Sequence, residues 1–390
     1  MSKRRSKSTG GGAKKKPRVD ETASNQEPFA QDSNYYYEDG NAVLLIENVL
    51  FKVHGSLIKA QSKVFEEMLV ASLKKKGKKV QGSTDKSPIV VEGVRAAEFR
   101  NLLKMIYLPR SDSFYTTLEA PIQCLVALEF YLDIARLANQ FQMADSETWA
   151  VNKLKTLMDV SGKMIFDYVA KHRQPEQTFK FLTDAWSYAQ LTPDRLLRYD
   201  LRNLLQYYYT VPAPVDAAHA LVSFRSLQQD QQDRSMLGFW YMLLLNRGHQ
   251  EWVTDSFTQQ DRIALFTTQV YLSPIPSSLA EGLTLPLVTE PVILTGGYVQ
   301  ALESMVCSSC LRPIGVAWKK AFNTDYYRSV VSSEALRATN ALATLPRIRF
   351  EFADFVRQKP TDCSPRILET LDREIELLYE RLGGYYRDID

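Results

Sequence analysis

Cys307-Ser308-Ser309-Cys310 is the one stretch of this 390-residue chain whose residue types and spacing point to chemistry. Two thiolates three residues apart can form half of a tetrahedral zinc site or a redox pair, and otherwise they are structural cysteines in one turn of helix. A zinc site needs two further ligands. Cys363 lies more than fifty residues downstream, Cys124 sits in the other half of the chain, and His54, His172, His219 and His249 are scattered singly. No strand-turn-helix pattern of a thioredoxin-like site precedes the pair. Cys307 and Cys310 therefore stand as metal candidates only; no metal or other cofactor is expected.

Other catalytic signatures are missing from the sequence. There is no phosphate-binding Walker loop, dinucleotide glycine fingerprint, His-Glu zinc helix or Gly-x-Ser-x-Gly elbow. Gly10-Gly11-Gly12 sits outside any strand-helix context, and the expectation is a non-enzymatic protein. Hydrophobic residues at 45% and charged residues at 24% are the mixture of a globular chain. No run of 18 apolar residues is present, so no membrane span or membrane partner is expected. The basic N-terminus lacks the apolar core of a secretory signal. Four cysteines argue against a disulfide framework and for a reducing compartment.

The net charge of +3 is unevenly spread. Residues 1–19 hold eight Lys and Arg and no acid, which leaves the remainder slightly acidic. Lys3, Arg4 and Arg5, then Lys14, Lys15, Lys16 and Arg18, form two basic clusters on a Gly-containing spacer. They read as a nuclear localisation signal that an import receptor would bind in an extended form; a solvated basic arm is the bland alternative, and cytoplasmic residence would follow from it. Residues 1–40 as a whole read as a disordered tail, too polar to offset the entropy of ordering.

From residue 41 ordered elements are expected. Alternating and β-branched residues around a Glu47-Asn48 turn read as a hairpin. Ser62 is a cap for a helix with Glu66 and Glu67 in its first turn. A lysine-rich loop (Lys74 to Lys79) and a short strand at Ile89-Val90-Val91 follow. The next helix, Ala96 to Tyr107, carries Phe99, Leu102, Leu103 and Ile106 on one face, and Arg110 to Ala120 reads as a loop. Val126, Phe130, Ile134, Leu137 and Phe141 form the stripe of a longer helix, followed by a shorter one from Ser146 to Met158.

The ordered set Phe51-Lys52-Val53-His54, Ser62-Lys63-Val64-Phe65, Ile89-Val90-Val91, Phe99 to Tyr107 and a helical hairpin at 122–158 resembles a BTB (POZ) domain. Asp39-Gly40-Asn41, and Pro88 to Val94 followed by Glu98-Phe99, are similar to the BTB proteins abundant in mushroom-forming fungi. That resemblance implies an α+β fold, a short sheet capped by a helical cluster, over residues 41–158. It makes Phe51, Val53, His54, Phe65 and Leu69 structural core, with the His54 imidazole bonded to backbone at a helix start. It also attaches a Trp, here Trp318, to the Cys-x-x-Cys without defining its chemistry.

Residues 159–390 read as mostly α-helical, with a Pro/Gly-rich loop or boundary near 273–297. Thr192-Pro193 reads as a helix start for a stripe of Leu197, Leu201, Leu204 and Tyr208, and Thr258-x-x-Asp261 as a capping box. The last helix, capped by Ser364, carries Ile367, Leu371, Ile375, Leu378 and Leu382 on one face, for packing on its own domain or for a coiled coil between protomers. The implied function is protein-protein interaction: a homodimerising BTB scaffold in the nucleus, working in transcription- or chromatin-related complexes through protein partners. Direct sequence-specific DNA binding lacks any recognisable reading module. The alternative is a substrate adaptor of a cullin-type ubiquitin ligase, disfavoured because Val70-Ala71-Ser72-Leu73-Lys74 offers no acid where cullin-binding relatives carry one.

Overall fold

The computed structural model describes residues 29–73, 81–171, 175–210, 217–230, 233–294 and 299–386. The N-terminal elements are β1 (Ala30–Tyr36), β2 (Ala42–Ile46), β3 (Val49–Val53), α1 (Gly55–Gln61), α2 (Lys63–Leu73), β4 (Ile89–Val90), α3 (Ala96–Tyr107), α4 (Ser113–Leu118) and α5 (Cys124–Gln140). Then come α6 (Ala144–Lys171), α7 (Pro175–Ala189), α8 (Arg195–Thr210), α9 (Ala217–Asp230), α10 (Arg234–Arg247), α11 (His249–Trp252) and α12 (Gln259–Tyr271). The last group is α13 (Ser308–Ala321), α14 (Thr324–Val330), α15 (Ala335–Ala343), α16 (Leu345–Gln358) and α17 (Ser364–Gly383).

The four strands form one mixed sheet in the order β1-β3-β2-β4, with β2 and β3 antiparallel and the two outer strands parallel to their neighbours. The hairpin turns at Glu47-Asn48, and Glu47 holds a left-handed φ of 53°. Its carboxylate accepts from the Ala96 amide at 2.9 Å, so the turn also caps α3. Ala42, Leu44 and Ile46 face the main core under α3 and α5, while Val43, Leu45 and Leu50 pack together on the sheet's other side.

The tail reading of residues 1–40 fails at its end. Ala30–Tyr36 is a strand, anchored by the buried Asp32, which accepts from the Asn34 and Tyr35 amides and pairs with Arg100 of α3 at 2.6 Å. The stretch read as a loop after Arg110 contains α4, capped by Asp112, whose Oδ1 accepts from the Phe114 amide at 2.8 Å. Val126, expected in the buried stripe of α5, is half exposed, whereas Ala127, Leu128 and Tyr131 are buried. That helix is covered on two sides, so its buried face is broader than one stripe and in the first turn takes in Cys124 and Ala127 instead of Val126.

The boundary expected at residue 158 falls inside α6, which runs 28 residues without interruption. Its second half belongs to the helical region, where Phe166 stacks on Phe350 of α16 and packs edge-on against Tyr207 of α8. Arg95, at the N-terminus of α3, also ion-pairs with Asp184 of α7. The sheet domain and the helices that follow thus share one continuous hydrophobic core.

In the helical region α10 is apolar nearly all round and lies in the middle, buried from Met236 to Leu245 except at Leu237. It crosses α17 where Gly238 and Gly383 meet: a Cβ on Gly238 would stand 2.6 Å from the Tyr379 carbonyl carbon. The stripe of α17 is wholly covered by its own chain, Ile367, Leu371, Leu378 and Leu382 being fully buried, which leaves no face for a coiled coil. Arg349 of α16 lies buried between Asp372 of α17, gripped by two bonds of 2.6 and 2.7 Å, and Asp200 of α8 at 2.7 Å. Burial alone would raise the Asp200 carboxyl, but Arg357 and Arg349 hold it below the usual range.

The described part of the 273–297 segment, residues 273–294, packs on the helices instead of forming a gap between domains. Glu374 of α17, 3% exposed, accepts from the Thr284 and Leu285 amides at 2.9 and 2.8 Å, and Leu279, Leu285 and Leu287 are buried. Two caps shift by one or two residues. Asp194, not Thr192, caps α8 through the Leu197 amide at 2.9 Å, and Cys363, not Ser364, holds the cap position of α17. Thr258 and Asp261 form the reciprocal capping box of α12.

Candidate functional site

The residues expected to form the N-terminal core divide unevenly. Phe51, Val53 and Phe65 are fully buried and Leu69 nearly so. Phe51 meets Phe99 edge-on, and Phe65 stacks on Phe141 at 4.3 Å. Ser62 accepts from the Phe65 amide and donates to the Phe141 carbonyl, tying the start of α2 to the end of α5. His54 departs from the expectation. It is part-exposed, and its ring bonds side chains instead of backbone: Nδ1 lies 3.0 Å from the Tyr107 hydroxyl, Nε2 3.2 Å from Asp39 Oδ2. The Tyr107 hydroxyl also accepts from the His54 amide at 2.9 Å, and Nε2–H donates to the Asp39 carboxylate, which can only accept. The hydrogen bond from His54 holds the exposed Asp39 carboxyl below its ordinary range. His54 is thus a latch between the end of α3 and the loop before β2.

On the surface, Leu57 of α1 is exposed, and Val160, Met164 and Tyr168 of α6, four residues apart, present one exposed apolar face. The lysine-rich stretch Lys74 to Lys79 lies outside the described residues, as do Lys3, Arg4, Arg5, Lys14, Lys15, Lys16 and Arg18.

The thiols give the unexpected arrangement. Cys307 occupies the N-cap of the 14-residue α13, and Cys310 follows in the first turn. Cys363, 56 residues from Cys307, occupies the N-cap of the 20-residue α17 and arrives at the same place. The Cys307 sulfur lies 3.1 Å from that of Cys310 and 3.6 Å from that of Cys363, and all three sulfurs fall within 4.8 Å of one another. All four cysteines are free thiols, and Cys124 is buried in the N-terminal core. The Cys307 amide donates to the Cys363 sulfur at 3.4 Å. Hydrogen bonds from Cys307, Thr361 and the Cys363 backbone pull the Cys310 thiol down to about 6. Two helix N-termini aim their positive ends at the cluster and favour thiolate there. Trp318 takes no part; it is buried, stacked on Phe322, with its indole N–H donating to the Tyr327 hydroxyl.

A cleft of about 560 Å³ opens between α7, α8, α9 and α10, with Trp186, Trp240, Leu205 and Asp233 in its walls. Its carboxylate is already committed, since Asp233 caps α10 through the Met236 amide and pairs with Arg202. The cleft therefore holds no free acid or base for catalysis among its described lining residues. No helix among the described residues is long and apolar enough to cross a membrane.

The comparison with protein families matches residues 35–147 to the BTB/POZ domain. No curated protein and no solved structure matches the chain. The matched span begins on Tyr35 in β1 and ends on Glu147 in the first turn of α6, taking in the mixed sheet, the His54–Tyr107 latch and the helices packed over them. Residues 35–147 are accordingly a BTB/POZ domain, a protein-interaction module, and a mostly helical region follows it in the same core.

Proposed function

We propose that the chain is a non-enzymatic scaffold that self-associates through its BTB/POZ domain and presents its helical region to a second protein. The observation that carries this reading is the BTB/POZ domain at residues 35–147. The exposed Leu57 and the apolar α6 face support it as contact surfaces, because exposed apolar groups aligned on one element mark sites of protein association. The two basic clusters support nuclear import and a place in transcription- or chromatin-related complexes through partners. The likeness of its N-terminal pattern to fungal BTB proteins extends the same reading.

Light scattering on the full chain at micromolar concentration is expected to give twice the 44.5 kDa chain mass, and a monomer at every concentration would defeat the dimer. Deleting residues 1–19 is expected to shift the protein from nucleus to cytoplasm; unchanged localisation removes the nuclear claim. Stable stoichiometric capture of the host's cullin would replace the scaffold reading with that of a ligase adaptor.

A further inference from the structure

We propose that Cys307, Cys310 and Cys363 together bind a zinc ion, as a three-thiolate site with its fourth position open to solvent. Three observations converge on it. First, the sulfurs already have nearly the right separation. A tetrahedral zinc with Zn–S bonds of about 2.3 Å sets its sulfurs about 3.8 Å apart. The observed 3.1 and 3.6 Å lie within about 0.7 Å of that, and turning the exposed Cys307 side chain takes up the difference.

Second, packing does not account for the grouping. Cys310 is buried and Cys363 packs partly buried against the core, but Cys307 is exposed, and Cys363 reaches the pair from a separate loop. Third, the surroundings suit anionic sulfur. Each N-cap, Cys307 and Cys363, begins a helix of more than three turns, and amide and hydroxyl donors point at the sulfurs.

Soft thiolates select zinc over the hard cations magnesium and calcium. No fourth His, Cys, Asp or Glu joins the group among the described residues. The fourth ligand is therefore a water, or a donor brought by whatever docks over the exposed Cys307. Binding releases the thiol protons and clips the start of α13 to the start of α17.

The test uses the full chain purified without chelator and analysed for metal. About one zinc per chain is expected to survive desalting, with Cys307, Cys310 and Cys363 protected from alkylation as mapped by mass spectrometry. Apoprotein titrated with cobalt(II) is expected to saturate at one equivalent, with thiolate-to-cobalt charge transfer and the visible bands of a tetrahedral site. Cys363→Ser and Cys307→Ser are expected to lose at least tenfold in zinc affinity, and Cys124→Ser to keep it unchanged. If circular dichroism shows Cys363→Ser misfolded, the exposed Cys307→Ser carries the comparison. Reduced protein that takes up no stoichiometric zinc, a Cys307–Cys310 disulfide in trapped protein, or undiminished binding in both serine variants overturns the proposal.

Discussion

Gly238→Ala isolates the contact on which the helical region is assembled. In an unobstructed helix interior this change stabilises by about 1 kcal/mol, because alanine loses less backbone entropy. Here the added Cβ overlaps the Tyr379 carbonyl oxygen and stands 2.6 Å from its carbon and 3.0 Å from the Gly383 nitrogen, where ordinary contact begins at 3.4 Å. The obstacle is backbone, so no rotamer change relieves it, and clearing the Tyr379 oxygen makes α10 and α17 move apart by more than about 1 Å. A gap of that size forfeits about half or more of each van der Waals contact across the crossing. Phe239 against Tyr379, and the buried row Leu371, Ile375, Leu378 and Leu382, bear the loss. Overpacking of this kind costs about 3 kcal/mol, so the net effect is a destabilisation of about 2 kcal/mol.

Gly162→Ala in α6 supplies the contrast, since the nearest atom to its new Cβ outside its own helix would be Arg357 Nη1 at 4.0 Å, and a gain of about 0.5–1 kcal/mol is expected. Denaturant-dependent hydrogen exchange, followed on peptides from Arg234–Arg247, Ser364–Gly383 and Ala144–Lys171, reads both. Gly238→Ala as stable as the parent, or Gly162→Ala losing as much, would refute the reasoning.

Burial, aided by the charges of Glu98 and Glu129, outweighs the Asn101 hydrogen bond and the charge of Arg95 and raises Asp133 to about 7. The folded state then holds a proton that the unfolded state has released, so this residue makes stability fall as pH climbs from about 4 to about 7. Asp133→Asn should match the parent near pH 4 and exceed it by about 2 kcal/mol or more at pH 8 in urea melts; an unchanged pH slope would contradict the assignment. Arg349→Met strands the buried Asp372 carboxylate and leaves Asp200 only Arg357, and should cost about 3–5 kcal/mol; adding Asp372→Asn should restore part of it, and a double variant weaker than the single would show that unpaired charge is not the cause. Phe65→Ala, which empties a stacked site between Phe99 and Phe141, should cost about 3–5 kcal/mol in the same melts.

What the sequence disclosed was local. The β2–β3 hairpin, α3 with its two ends and the Thr258 box are each written within a few consecutive residues, and the ordered set of them pointed to the BTB/POZ domain. What it hid was held by distant partners. β1 runs through the polar stretch Gln31 to Asn34, and the charge of its buried Asp32 is met by Arg100, 68 residues away. The run of α6 past residue 158 depends on the aromatic rings of α8 and α16 that receive Phe166. His54 looked like core because its motif neighbours are core, yet its partners, Asp39 and Tyr107, lie outside that motif. The thiol cluster was half visible: Cys307 and Cys310 share a turn, whereas Cys363 comes from the far side of three intervening helices. Its helix start was read one residue too late, on Ser364, which hid the cysteine occupying the cap.

The unbroken α6 has a consequence for multivalent binding. Its 28 residues make a rod of about 42 Å, rooted at one end in the BTB/POZ domain and at the other among the helices that follow. Arg95 and Asp184 add a second strut beside it. In a pair of copies joined through their BTB/POZ domains, the two helical regions would sit at a set spacing instead of sweeping a volume as they would on a flexible tether. Such a pair gains avidity only for targets whose two docking points match that spacing, so the geometry itself would act as a selectivity filter.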